Sequence, residues 1–256
     1  MPRSLTYALL DELEVACEGG ALSLKEPALE IRSLGPLIQL QRSREVAAIN
    51  AATRIEFGAF APAAEFLKAP AGLWINKTGT FGLAASSAEG EAALELMQRA
   101  LLSLSKTSFP KDAAAQAVSA LGELDSNIQE HSGDRERGIT AFELGAGFLG
   151  IYSSDLGVGV LNSLRRNPAF EALDDSGEAL MLAVQEGVSS FEDPGRGKGF
   201  RPIFVGLASL SALLRFRSGD SVLEINGFGD GVPCQDVKER SSIPGFHAFI
   251  HCAFGK

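Results

Sequence analysis

The apolar positions of this chain change period along its length, and those changes mark out its elements. Residues 5–17 carry apolar side chains at helical spacing, and residues 28–40 include strand-like alternation. Residues 48–73 form an alanine- and phenylalanine-rich stretch broken at Pro62 and Pro70. Together they predict a small mixed α/β region, with Phe66 and Trp74 in its core rather than serving as ligand platforms. From Ser87 the pattern sharpens. A helix is expected over 87–102, with Leu94, Met97, Leu101 and Leu102 on one face and acidic residues in its first turn. Pro110 opens a second helix that runs to about His131 and stops near Gly133.

Two strands are expected next, over 138–144 and 147–153, then a loop at 155–159, a helix at 177–186 and a glycine-rich loop at 194–199. Residues 201–213 read as a further helix. Residues 215–217 and 222–225 flank Ser218, Gly219 and Asp220, which have the composition of a hairpin turn, and 245–254 supplies a last strand. Helices packed on one face of a mostly antiparallel sheet make the expected fold class an α+β sandwich.

Composition narrows the classes of function. A chain of 256 residues that is 45% hydrophobic can bury one large core or two modest ones. Its formal net charge of -9 repels phosphate backbones and anionic lipid surfaces, which argues against nucleic acid as a general partner. No apolar run reaches the roughly 20 residues that span a bilayer. The start of the chain leads into Asp11, Glu12 and Glu14 rather than an apolar signal segment, so a cytoplasmic protein with no membrane partner is expected. Cys17, Cys234 and Cys252 lack C-x-x-C spacing and read as isolated core thiols. His247 and His251 are four apart, but their neighbours read as strand, which disfavours a helical metal pair.

Three stretches carry candidate chemistry. Glu123 and Asn127 lie four apart on the helix from Pro110, and so on one face. An Asn carbonyl gives Mg²⁺ a neutral oxygen ligand, while a carboxylate one turn away can orient or deprotonate water. Standing alone, the pair also describes a solvated polar face. Asp155, Gly157 and Gly159 follow an apolar strand. A carboxylate there can accept a hydrogen bond from an exocyclic amine, and the glycines let a flat base approach the backbone, although turns of this composition are common. In the third stretch Gly195, Gly197 and Gly199 alternate with Arg196 and Lys198 before an apolar segment expected to be helical. Exposed backbone N–H groups, a helix end and two cations suit polyphosphate, and a basic surface loop is the alternative. The spacing is neither that of a Walker loop nor that of a Rossmann fingerprint.

In this order the three stretches resemble the N, G1 and G2 boxes of the GHKL superfamily, the histidine-kinase-like ATPases, over about residues 106–256. The resemblance implies a two-layer α/β sandwich over 106–256; residues 1–105 are expected to form a mixed α/β region before it, and no role is assigned to them. It implies ATP with Mg²⁺ as cofactor, Asn127 as magnesium ligand, Asp155 as the acceptor for the adenine amine, and Gly157 and Gly159 as the floor under the base. Gly195, Arg196, Gly197, Lys198 and Gly199 belong to a phosphate lid in this reading, and Glu123 takes the position of the general base. Residues 180–190 look most like stand-alone bacterial signalling members such as anti-sigma kinases. No His precedes His131, which departs from the sensor-kinase pattern of an upstream phosphoacceptor. The expected function is therefore a signalling phosphotransferase or ATPase acting on a separate protein partner. A non-catalytic nucleotide-gated interaction module and a degenerate domain without nucleotide are the alternatives, and pairing into a homodimer is implied by the resemblance alone.

Overall fold

The structure, a computed structural model, describes residues 2–20, 28–86, 90–185, 211–228 and 234–254. Its first part alternates short strands with helices: β1 (Arg3–Ser4), α1 (Tyr7–Glu18), β2 (Leu29–Glu30), α2 (Leu34–Arg42), α3 (Val46–Ala52), β3 (Ile55–Glu56) and α4 (Ala61–Lys68). The three strands pair in parallel in the order β1-β2-β3, the arrangement that helical crossovers permit. Thr6 starts α1 by accepting the Leu9 N–H on its hydroxyl at 3.2 Å.

The second part begins with β4 (Leu73–Ile75), β5 (Phe81–Ala85), α5 (Glu91–Leu104), α6 (Lys111–His131), β6 (Ile139–Gly145) and β7 (Phe148–Ser154). It continues with α7 (Gly159–Leu164), α8 (Ser176–Ala183), β8 (Ser211–Phe228) and β9 (Cys234–Ala253). All neighbours in this six-stranded sheet are antiparallel, in the order β4-β5-β6-β7-β9-β8. The molecule is thus mixed α+β, with an antiparallel sheet and a small parallel one. Among the described residues, no helix is long and apolar enough to cross a membrane.

Helices cover both faces of the large sheet, where one covered face was expected. Leu96, Ala117, Leu121, Leu124 and Leu180 from α5, α6 and α8 meet Phe142, Ile151, Leu214 and Ile250 on the first face. On the second, Leu10, Leu37 and Leu67 from α1, α2 and α4 meet Leu83, Ala141, Tyr152 and Phe249. Side chains alternate across a strand, so Ile151 and Tyr152 enter different cores. This explains why all five residues of β5 are buried and why its sequence lacks polar alternation.

The large sheet takes β4 and β5 from one side of residue 105 and its other strands from the other side. Two further expectations change. Residues 211–213 belong to β8 rather than to the end of a helix. Ser218, Gly219 and Asp220 do not turn a hairpin: both flanking segments pair with β9, and the register shifts between Ser218 and Ser221. The extra residues sit on β9, where Phe246 and Ile243 oppose consecutive residues of β8, so the irregularity is a bulge in a continuous ladder.

Candidate functional site

The described candidate residues lie on α6 and on the loop after β7, which meet where α6 ends. Polar residues on α6 divide by face. Asp125, 4% exposed, accepts from Ser86 Oγ at 2.8 Å and from Gln129 Nε2 at 2.7 Å, which fixes the helix to the end of β5. Burial raises its carboxyl above the usual range, and the two donors oppose that. Glu123 is exposed and Asn127 half-buried, and neither side chain makes a hydrogen bond among the described residues. Asn127 stands five residues before Ser132, about 7.5 Å along the axis, and Glu123 about 6 Å further back.

Ser132 is the contact point with the loop. Its carbonyl oxygen accepts the Val158 N–H at 2.8 Å, and a Cβ built on Gly157 would collide with that same carbonyl. Only glycine allows this backbone-to-backbone approach. Gly159 begins α7 at φ 75°.

Asp155 lies directly behind, 3% exposed. Its Oδ1 accepts the N–H groups of Gly157 at 2.8 Å and Phe246 at 3.3 Å, whereas Oδ2 accepts no hydrogen bond among the described residues. Burial pushes the carboxyl up to about 6, against the pull of the two backbone donors and of Arg42. Behind the loop, His247 Nε2 donates to the Pro244 carbonyl at 2.8 Å, so its Nδ1 accepts from Ser154 Oγ at 2.9 Å. Burial depresses this imidazole to about 3 and keeps it neutral. Ser218 Oγ donates to the Gly245 carbonyl at 2.8 Å and accepts the Val160 N–H at 2.9 Å, joining the bulge to the start of α7.

The structure therefore sets the 155–159 loop, through Gly157 and Val158, against Ser132 at the end of the helix that carries Asn127 and Glu123. Gly195, Arg196, Gly197, Lys198 and Gly199 lie outside the described residues. Sequence reasoning missed Arg42, Ser154, Ser218, Gly245 and His247. A Cβ on Gly245 would strike the backbone and carboxylate of Asp155, a requirement that a lone glycine in a strand only hints at. His251, the other member of the spaced pair, stacks on Phe148 with ring centroids 4.4 Å apart.

The residues present fit Mg·ATP in two respects. Asp155 keeps one carboxylate oxygen free of protein bonds among the described residues. Asn127 has an unengaged amide on the adjoining helix. Among the described residues no cluster of three or more His, Cys, Asp and Glu could hold a metal. Magnesium bound through phosphates needs no such cluster, since one or two protein ligands suffice. Fold and site together define a mixed α+β protein with a carboxylate-and-glycine loop docked on a long helix. Comparison of the sequence with protein-family models and with curated proteins gives no match.

Proposed function

We propose that the chain is a GHKL-type, histidine-kinase-like protein that binds Mg·ATP between α6 and the 155–159 loop and acts as a phosphotransferase or ATPase on a separate protein. The observation that carries this reading is the junction at Ser132: the loop with the base-binding carboxylate is locked onto the end of the helix bearing the unengaged Asn127 and Glu123. Asp155 Oδ2 accepts the exocyclic amine of adenine, and the Gly157 backbone forms the surface beneath the ring. Asn127 supplies an oxygen to the magnesium. Magnesium held there would supply the charge neutralisation that phosphoryl transfer needs. Glu123 orients or deprotonates the acceptor, and its exposed position leaves it open to an incoming partner.

ATP with Mg²⁺ at 100 times its dissociation constant should stabilise the protein by about 2.7 kcal/mol, a rise in melting temperature of about 5–10 °C. Asp155→Asn should show no such rise, because with its oxygen held by the backbone donors its NH₂ faces the adenine amine. A wild-type protein with no shift refutes the reading. Glu123→Ala should keep the shift and lose turnover; if partner binding stays ATP-dependent and no turnover exists in wild type, the site is a nucleotide-gated module.

A further inference from the structure

We propose that the exposed face of α5 is the contact through which two copies of this chain pair, helix against helix and antiparallel. α5 is apolar on two sides. Ala93, Leu96, Ala100 and Leu104 are buried on the side that packs into the core. Leu94, Leu101 and Leu102 lie on the outward side and are 55%, 43% and 53% exposed. Spacings of seven and eight residues set these three leucines along one stripe. Of the four side chains that the apolar period puts on one face, only Met97 packs against the core, and a Cβ on Gly122 of α6 would come within 3.2 Å of its sulfur. A surface groove follows the stripe, lined by Glu91, Leu94, Glu95, Gln98, Arg99 and Leu102. One exposed leucine is ordinary, whereas three on one stripe of a helix whose other side is already in the core form a patch of the kind that a partner covers.

The charges on this face select the occupant. Glu91 and Glu95 stand in the first half of α5, Arg99 in its second half and Lys106 just beyond its end. A two-fold axis near Gln98 lays the leucines of one copy over those of the other, and sets Glu91 and Glu95 of each against Arg99 and Lys106 of the other. A parallel pairing places acid against acid and base against base instead. Such self-complementarity of a single patch is what a two-fold contact requires. Within one chain these charges are little used. Glu95 accepts Arg99 Nη2 at 2.9 Å with both side chains about half exposed, and Glu91 and Lys106 make no ion pair among the described residues. An exposed pair of that kind contributes little, so exchanging it for pairs across the contact costs little. The net charge of -9 makes two copies repel elsewhere, whereas the two acids and two bases of residues 91–106 balance.

The test is sedimentation equilibrium of the full chain, without nucleotide, over a range of concentrations. Wild type should show a reversible equilibrium between one chain and two. Leu94→Ser and Leu101→Ser change exposed side chains, and each should raise the dissociation constant on the order of a hundredfold, because a symmetric pair loses the side chain twice. Charge variants supply a second measurement, in which association is gained rather than lost. A chain with Glu91→Lys and Glu95→Lys and a chain with Arg99→Glu and Lys106→Glu should each stay single, and an equimolar mixture of the two should pair. A wild type that stays single at every concentration overturns the proposal. So does a pair that the leucine substitutions leave intact, since its contact then lies elsewhere. A charge variant that pairs with itself as tightly as wild type, or a mixture that fails to pair, overturns it as well. None of these outcomes bears on the nucleotide reading, which ATP binding tests separately.

Discussion

Asp155 and His247 lie one residue apart across the β7–β9 junction and are displaced in opposite senses from their ordinary ionisation. The Asp155 carboxyl is raised to about 6, so the folded state binds its proton more tightly than the unfolded chain does. Its contribution is fully favourable below about pH 4 and is lost as pH rises through 6, a cost on the order of 3 kcal/mol at pH 8. Asp155→Asn should therefore stabilise the protein by about 1–3 kcal/mol at pH 8 and by little at pH 4, read from urea midpoints at the two pH values. A residue held at the expense of stability is typical of sites kept for function. The imidazole of His247 is depressed to about 3, so its contribution is complete above about pH 6.5 and is lost as pH falls through 3. Neutral His247 keeps Ser154 and Pro244 in place beneath the loop.

At the scale of elements, α2 depends on a residue of another element. Ser33 makes no side-chain cap at its N-terminus; Glu143, from β6, accepts the Leu34 N–H instead and also receives Tyr152 OH at 3.1 Å. Glu143→Ala leaves these buried donors unpaired and should cost about 3 kcal/mol or more in urea unfolding, while Glu143→Gln, which keeps an acceptor, should cost less. Such a cap was illegible in the sequence because Glu143 stands 109 positions from the N–H it satisfies. What was legible was local: the period and breakers around Pro110 and Gly133 placed α6, and the apolar runs around Gly147 placed β6 and β7. Ser218, Gly219 and Asp220 misled for the converse reason. Their composition suits a turn, but pairing to β9 keeps the strand running through them. The loop's glycines could be read as close-approach positions, whereas the approach to Ser132 and Gly245 depends on the tertiary fold.

Across the whole molecule, the N-terminal layer is bound to the sheet by buried charge as well as by apolar contact. Asp11 receives Arg215 on both oxygens at 2.7 Å and Arg240 at 3.0 Å, and Glu14 receives Arg217 at 2.7 Å. Burial pushes Asp11 up, but Arg215, Gln39 and Arg217 outweigh it and hold the carboxyl below its usual range. Removing one partner strands the others. Arg217→Met should destabilise by about 3–5 kcal/mol, and adding Glu14→Gln should recover part of that loss in a double-mutant cycle. Calorimetric melting should remain one transition, since both cores share the same strands. The order of the strands has a further consequence in time. β8 reaches the rest of the sheet through β9 alone, which inserts between it and β7. During synthesis β8 therefore leaves the ribosome before the strand it pairs with, carrying Arg215 and Arg217, and its native pairing must wait for residues up to 253. The backbone contacts of Phe246 with Asp155 form at that late insertion, so the loop around Asp155 is completed only when β9 enters the sheet.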